Sequence, residues 1–418
     1  MKSEFSGFHR LTPKERLDLV KGAAGLSEEE AVALSSSGAL GMDTADRMIE
    51  NVIGTQEIPL GIATNFIING RDMLIPMALE EASVVAAASN AAKMCRPHGF
   101  VAEGGDPIMA GQIQVVGIGD AKKAMNAILE KRLEIIQAAN EKDAGLVERG
   151  GGAVDVEVRE LQTIRGKMLV VHLVVNVMDA MGANAVNTMC EAVAPIIEEA
   201  SGARTRLKII TNLAEKRLAR ARTLWKRDVI GEDAVEGVLD AYAFALADRY
   251  RCATHNKGIM NGIDAVAIAT SQDFRALEAS AHAYACSEGR CRPLTKYAKD
   301  GEGNLIGEIE LPVAVGTVGG ASRTNPIAKI SLKILGVKSS AEFSQVMACV
   351  GLAQNFAALK ALSTVGIQAG HMKLHSKNIA IMAGAHGDEI ERVSAQMVEE
   401  KNINVSRAGE ILDSLRKR

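Results

Sequence analysis

The spacing of apolar and polar residues divides the chain into stretches of different period. Residues 12–49 predict short helices: Thr12-Pro13 supplies an N-cap followed by proline at the first helical position, and Ser27 before three glutamates supplies a second start. A helix then runs toward Glu50-Asn51-Val52-Ile53-Gly54 and stops at the glycine. The apolar runs Gly61–Ile68 and Arg71–Met77 are joined by Asn69-Gly70, the strongest short hairpin signal. Glu80-Glu81-Ala82-Ser83 opens an Ala/Val helix reaching about Cys95, its acidic residues favourable at the positive end of a helix dipole.

Residues 107–211 have an order of their own. Gln112–Ile118 reads as a strand and Asp120–Asn140 as a charged amphipathic helix. Val154, Val156 and Val158 alternate with Asp155, Glu157 and Arg159, as in a half-buried strand, and Met168–Met178 reads as a fully buried one. After Asp179 comes a helix over Ala185–Ala200, kinked at Pro195, and then a strand over Arg206–Ile210. The order β-α-β-β-α-β predicts a ferredoxin-like split βαβ. The flanking chain is more helical, so this block reads as an insertion and the whole as an α+β protein.

Beyond the insertion, Asn212–Ala247 reads as helical, with a basic run of Lys216, Arg217, Arg220, Arg222, Lys226 and Arg227. Thr254–Gly262 reads as a Gly/Asn-rich turn, with another helix after Asp273. Residues 294–316 predict a hairpin around Asp300–Asn304. Helices are expected near 326–336 and 340–364. The tail holds Gly370-His371-Met372 and two helical stretches, Asp388–Glu400 and Ser406–Arg416.

Length and composition add limits. The chain has 418 residues, 47% of them hydrophobic, enough for two or three domains with cores. It carries 48 Lys and Arg against 51 Asp and Glu, so no global field draws polyanions. Aromatics are 3%, which leaves an aliphatic core and few rings to stack on bases. The N-terminus has no apolar leader region, and the Met168–Met178 run is too short to span a bilayer. A protein without membrane or nucleic-acid partners, in the cytoplasm, is the expectation. Six scattered cysteines without a CxxC pattern predict neither structural zinc nor disulfides, with Cys286 and Cys291, the nearest pair, read as small apolar filler.

Gly117-Ile118-Gly119-Asp120 follows a strand and opens a helix, but Lys122 stands where a third dinucleotide-binding glycine belongs, and the strand order is not that of a Rossmann fold. Signatures of P-loop, zincin and α/β-hydrolase chemistry are absent. Taken singly, Glu81, Lys257, Asp273 and His371 each admit a plain structural explanation, Asp273 as an N-cap for example. The basic run admits two: a phosphate or nucleic-acid patch, or a solvated face.

Longer strings change that balance. Glu50–Gly54, Asn69–Asp72, Glu80–Ala87, Asp179-Ala-Met-Gly-Ala-Asn184, His255-Asn-Lys-Gly-Ile-Met-Asn-Gly-Ile-Asp264, Gly316–Gly320 and Gly370-His371-Met372 occur in that order. Together they closely resemble class II 3-hydroxy-3-methylglutaryl-CoA (HMG-CoA) reductases over nearly the whole chain. The resemblance implies reduction of HMG-CoA to mevalonate and free CoA by two successive hydride transfers, without a metal.

Carried over by position, the catalytic set is Glu81, Lys257, Asp273 and His371. Lys257 would stabilise the oxyanion, His371 would protonate the CoA thiolate, Glu81 would supply a proton to the aldehyde oxygen, and Asp273 would bond to Lys257 and Glu81. Ser83, Arg251, Asn261 and Asn355 fall at HMG positions, and Arg10, one residue out of register, at a CoA-phosphate position. Asp143, Asp179, Met181, Gly182, Asn184 and Asn212 fall at cofactor positions, with Asp143 favouring NAD(H) while NADP(H) remains possible. The implied organisation is an HMG-CoA-binding domain of residues 1–106 and 212–373, a non-Rossmann cofactor domain of 107–211, and a C-terminal flap of 374–418. The implied assembly is a homodimer, or a hexamer built as a trimer of dimers. A nucleic-acid-binding protein and a purely structural α+β protein are the competing readings.

Overall fold

The computed structural model describes residues 2–364 and 376–417; the predicted Gly370-His371-Met372 lies outside the described residues. The chain begins with helices α1 (Pro13–Ala24), α2 (Glu28–Ser35) and α3 (Met42–Met48). Both predicted starts are capping boxes: Thr12 and Glu15 exchange bonds, as do Ser27 and Glu30. The third helix ends at Met48, earlier than the glycine signal at Gly54 suggests. Strands β1 (Leu60–Ile68) and β2 (Arg71–Ala78) form the expected hairpin, with Asn69 and Gly70 both at positive φ. Helix α4 (Val84–Met94) and strand β3 (Phe100–Glu103) follow.

The second sheet is built from β4 (Ile108–Val116), β5 (Gly152–Thr163), β6 (Gly166–Asn176) and β7 (Arg204–Ile210). Their order is β5-β6-β4-β7, with antiparallel neighbours throughout, the arrangement of a split βαβ. Its helices are α5 (Ala121–Glu130), α6 (Arg132–Asn140), the short α7 (Ala144–Glu148) and α8 (Ala183–Ser201). The predicted single helix over 120–140 is thus two, broken at Lys131. Val154 is exposed rather than inward because the β5–β6 register shifts between Ala153 and Asp155, which reverses the faces at that point. Ile113, Val171, Leu173, Met189 and Val193 centre a core belonging to this sheet.

The chain then returns to the first sheet with β8 (Leu218–Trp225), α9 (Arg227–Ile230), α10 (Glu232–Ala247), α11 (Arg249–Ala269), α12 (Phe274–Ala285), β9 (Thr295–Lys299) and β10 (Leu305–Pro312). The first sheet runs β2-β1-β3-β8-β10-β9. Its neighbours β3 and β8, with Glu103 opposite Arg220, flank the entire second sheet in sequence, so that sheet is an insertion. Helices α13 (Pro326–Leu335) and α14 (Ser340–Ser363) complete the layer. Trp225 stacks on Phe356 at 3.8 Å between ring centroids and donates its indole N–H to Ala91 O. The C-terminal helices Asp388–Glu399 and Val405–Arg416 close a small core around Val393, Met397 and Ile411.

Three expectations are corrected. The basic stretch 216–226 is not helical: β8 alternates buried Ala219, Ala221, Thr223 and Trp225 with exposed Arg220 and Arg222. Those arginines pair across the sheet with Glu310 (2.6 Å) and Glu308 (3.3 Å), so the run is a solvated, charge-matched strand face. Residues 254–262 are not a turn but the middle of α11. A Cβ on Gly262 would stand 3.0 Å from Val350, and one on Gly351 3.0 Å from Ile259. These glycines let α11 and α14 approach closely rather than bend the chain. Finally, Cys286 and Cys291 are joined in a disulfide, their Cα atoms brought to 4.1 Å as the chain turns back at the end of α12; the other four cysteines are free and buried.

Helix α14 has the length and mean hydropathy, 1.3, of a bilayer span, yet 67% of that window is buried inside the fold. It is the core helix of the first layer.

Candidate active site

Two segments far apart in sequence meet where the β2–α4 loop reaches α11. Glu81 lies in the loop and Lys257 in the first half of α11, and Lys257 Nζ stands 3.5 Å from Glu81 Oε2. The lysine side chain is 60% exposed and the carboxylate 39%, so both groups face outward, available to a ligand.

The backbone beside Glu81 is unusual. Ser83 takes φ 80°, a left-handed conformation that costs a non-glycine residue about 1–3 kcal/mol and tends to persist at functional sites. Ser83 sits at the N-cap of α4 without bonding the helix, and its Oγ is buried with no partner. A capping serine would normally accept from the first turn. This one keeps its hydrogen-bonding capacity free.

The other predicted residues separate into groups. Asn261 lies one turn beyond Lys257 on α11, on the same face. Arg251, on the first turn of α11, has its guanidinium charge disfavoured by burial. Asp273 does not bond Lys257 or Glu81. Its Oδ1 accepts from Ala276 N–H at 3.1 Å, capping α12, and lies 3.4 Å from Arg275. Asn355 is buried and committed: Oδ1 accepts from Thr295 and Tyr297 hydroxyls at 2.9 Å each, and Nδ2 donates to His255 O. That network joins α14, β9 and α11 and steadies the helix carrying Lys257. His371 lies outside the described residues.

At the predicted cofactor positions, Asp179 does not cap α8. Its Oδ1 accepts from Ser340 N–H at 2.7 Å, at the start of α14, and its carbonyl accepts from Thr317. Buried Arg217 donates to Ala180 O and Val315 O, fixing the same turn. Helix α8 therefore starts at Gly182, φ 104°, with no side-chain cap. Met181 and the exposed Asn184 flank that open N-terminus. The start of a 19-residue helix with uncapped N–H groups fits a dinucleotide's pyrophosphate. Asp143 caps α7 through Leu146 N–H at 2.9 Å, and Asn212 is exposed after β7.

A cavity of about 1220 Å³ runs along α4 between β1 and the N-terminal segment. Phe5, Leu17, Val85 and Ala86 give it an apolar wall; Lys14, Arg16 and Lys93 bring positive charge, and Glu4, Asp18 and Glu28 bring negative charge. It touches neither Glu81 nor Lys257. Arg10 is outside its lining, while the adjacent His9 is part of it.

The sequence reading passed over a further cluster on α11 and α12. Asp264 lies two turns beyond Lys257, and Glu278 Oε2 is 2.7 Å from His282 Nε2. Burial, then the nearby Glu278, push the Asp264 carboxyl up to about 8. The bond from His282 is the chief cause holding Glu278 low, and Glu278 in turn raises His282. The i,i+4 spacing of Glu278 and His282 was a visible signal; their meeting with Asp264 depends on how two helices pack.

The sequence profile of the hydroxymethylglutaryl-coenzyme A reductase family matches residues 12–376. A 3-hydroxy-3-methylglutaryl-coenzyme A reductase from Archaeoglobus fulgidus is 58% identical over 418 residues, covering 100% of this chain and 95% of that protein. A probable one from Borreliella burgdorferi is 37% identical over 338 residues, 79% of this chain and 77% of that one. Among solved structures, the Streptococcus pneumoniae reductase superposes with a TM-score of 0.84 at 38% identity, covering 99% of this chain and 100% of that one. The class II enzyme from the same organism, bound to NADPH in open conformations, gives 0.82 at 39% identity over 97% and 100%.

Proposed function

The chain belongs to the hydroxymethylglutaryl-coenzyme A reductase family, in its class II branch, and on that premise we propose that it interconverts HMG-CoA with mevalonate and CoA at the junction of the β2–α4 loop and α11. The observation that carries this reading is the Glu81–Lys257 pair, 3.5 Å apart beside a strained serine with an unsatisfied hydroxyl.

The residues have separable tasks. As the thioester carbonyl is reduced, its oxygen gains negative charge, and the Lys257 ammonium stabilises it. Ser83, its Oγ free, and Asn261, on the lysine's face of α11, orient the HMG moiety, with Arg251 the natural partner of its carboxylate. His371 protonates the departing CoA thiolate. Glu81 supplies the proton for the aldehyde oxygen in the second reduction, and Asp273, at the head of α12, completes the set. The cavity along α4 is the candidate seat for the CoA arm, its apolar wall facing pantetheine, with Lys14, Arg16 and Lys93 the groups to meet phosphates beside the lining carboxylates Glu4, Asp18 and Glu28.

A nicotinamide cofactor supplies the hydride when bound. The open N-terminus of α8, with Met181, Gly182 and Asn184, is the candidate seat for its pyrophosphate, and Asp179 and Arg217 hold that turn in place. On this reading residues 1–106 and 212–373 bind HMG-CoA, 107–211 hold the cofactor, and 374–418 follow as a separate tail. Homodimeric assembly, and a hexamer as a trimer of dimers, belong to the same proposal. Asp143 stands where an acidic residue would accept bonds from the adenosine ribose and repel a 2′-phosphate, which favours NADH. The NADPH bound to the pneumococcal relative does not argue for that preference. Asp143→Ala is expected to raise kcat/KM for NADPH relative to NADH; an unchanged ratio removes Asp143 as selector.

The test of the reading is a steady-state assay in both directions with each cofactor. Two equivalents of reduced nicotinamide consumed per HMG-CoA, with mevalonate and CoA formed, are expected. A stoichiometry of one, or no turnover, contradicts it. For His371→Gln, activity is expected to fall more on HMG-CoA than on mevaldehyde, which has no thiolate to expel.

A further inference from the structure

The string Gly316–Gly320 has no part in the chemistry above, yet its first residue lies against the turn that opens α8. Gly316 is buried, and a Cβ there would stand 2.6 Å from Met181 N and 3.0 Å from Ala180 C. Thr317 N–H donates to Asp179 O at 2.9 Å. The backbone of 316–317 is therefore the floor on which residues 179–181 rest.

One peptide group of that floor is gripped from both sides. A trans peptide points its C=O and N–H in opposite directions. The Val315 carbonyl accepts from buried Arg217 at 2.6 Å, and the Gly316 N–H of the same peptide donates to Gln272 Oε1 at 2.9 Å. Arg217 also donates to Ala180 O, so it belongs with the turn itself. Gln272 comes from elsewhere: it stands in the corner between α11 and α12, immediately before Asp273.

Gln272 is itself fixed. Its N–H donates to Ala267 O at 2.8 Å, its carbonyl accepts from Phe274 N–H at 3.0 Å, and its Nε2 donates to Thr270 O at 3.2 Å. The preceding Ser271 takes φ 51°, a left-handed conformation, and its Oγ accepts from Asn325 Nδ2 at 3.3 Å. The corner that presents Asp273 and the loop beneath the cofactor turn thus meet through the Gln272 side chain.

We propose that Gln272 is a positioning residue for the reaction: through the Gly316 N–H, its amide oxygen sets the cofactor turn, residues 179–182, in register with the α11–α12 corner that carries Asp273. This rests on the start of α8 being the cofactor seat. A side chain without an acceptor leaves the buried Gly316 N–H unpaired and the 315–316 peptide held only by its carbonyl. The turn above it then takes more than one place, and a cofactor that needs one place binds more weakly. Ser83, Arg251 and Lys257 stand on other parts of the fold, so the HMG side is expected to be spared.

The test uses the full-length enzyme and compares Gln272→Met with Gln272→Ala, which both lack the acceptor but differ in bulk. Gln272 is half-buried at a corner between helices, and the melting temperature checks that each variant folds. In both, the Kd for NADH, read by its fluorescence, is expected to rise about three- to tenfold, as for one lost hydrogen bond, while KM for HMG-CoA stays within about twofold. In the cofactor-free enzyme, hydrogen exchange across 316–318 is expected to quicken in both. Folded variants with a wild-type Kd for NADH or unaltered exchange overturn the proposal. So does a rise confined to one variant, or an equal rise in KM for HMG-CoA. Exchange in the wild type separates the two layers. Bound NADH that leaves 182–186 unprotected removes the seat itself. Protection there, beside variants that bind NADH as the wild type does, removes only the role of Gln272.

Discussion

The inserted sheet and the layer around α4, α11 and α14 treat their polar groups in opposite ways. Within 107–211, away from the open start of α8, polar side chains are satisfied nearby: Asp120 caps α5, Asp143 caps α7, Asn140 exchanges two bonds with Ala153, and Glu198 accepts twice from Thr205. Around α4, α11 and α14, Ser83 Oγ, His255 Nδ1, Asp264 Oδ1 and Gln354 Oε1 are buried without partners, and Ser83 holds a strained backbone. An unsatisfied buried polar group costs about 1–3 kcal/mol. Among the described residues, that cost is concentrated in the layer that carries Glu81 and Lys257. Apart from the uncapped start of α8, the insertion is built for local consistency, while the other layer gives up stability where HMG-CoA is to be held.

The contrast can be sharpened by substitutions that affect stability alone. In the insertion, a Cβ at Gly111 would run into Cys190 Sγ and stand 2.8 Å from Val186. Gly111→Ala is expected to cost about 1–3 kcal/mol through overpacking, read as a lower denaturant midpoint, with kcat per folded molecule within about twofold of wild type. A large loss of kcat with no loss of stability would show that Gly111 acts on the chemistry rather than on the packing of the insertion.

Ser83→Gly should do the reverse. Glycine accepts φ 80° and removes an orphaned hydroxyl, so stability is expected to rise by up to about 1 kcal/mol while KM for HMG-CoA increases several-fold. A variant both less stable and unchanged in KM would mean that Ser83 serves packing.

A smaller effect tests Asp264 through pH. Its folded carboxyl is raised, so above the ordinary carboxylate range the unfolded chain has released a proton that the folded chain still holds. Stability therefore falls as pH rises from about 4 toward neutrality, because the native state binds more protons than the unfolded one. Asp264→Asn is expected to flatten that part of the Tm-against-pH curve and to raise Tm near neutral pH by roughly 2–4 °C. An unaltered slope would place the burden on another group.

The same contrast explains what could be read from the sequence. The split βαβ order was legible because the alternation in β5, the continuous apolar run of β6 and the one-sided apolar faces of the helices are each visible in the residues. The α11 region was not, because His255, Asn256, Ile259, Met260, Gly262 and Ile263 are buried on several sides and its glycines serve helix contact with α14. Nothing local distinguishes such a glycine from one in a turn. The β8 arginines were misread because Ala, Arg and Leu are good helix formers; the alternation was present, and the deciding partners, Glu308 and Glu310, lie on β10. Lys257 and Glu81 were identifiable through the resemblance of their surrounding strings. Asp264, Glu278 and His282 became a unit only when α11 and α12 packed, and the Asn355 network only when α14 met β9.

The most direct test of the central claim is Lys257→Ala. Its side chain is 60% exposed and its described polar contact is Glu81, so removal should leave the melting temperature within about 1–2 °C of wild type. Turnover of HMG-CoA is expected to fall by at least about 10²- to 10³-fold, the usual cost of losing one preorganised oxyanion stabiliser. A folded Lys257→Ala enzyme that turns over at near wild-type rate would contradict the assignment of this junction as the active site.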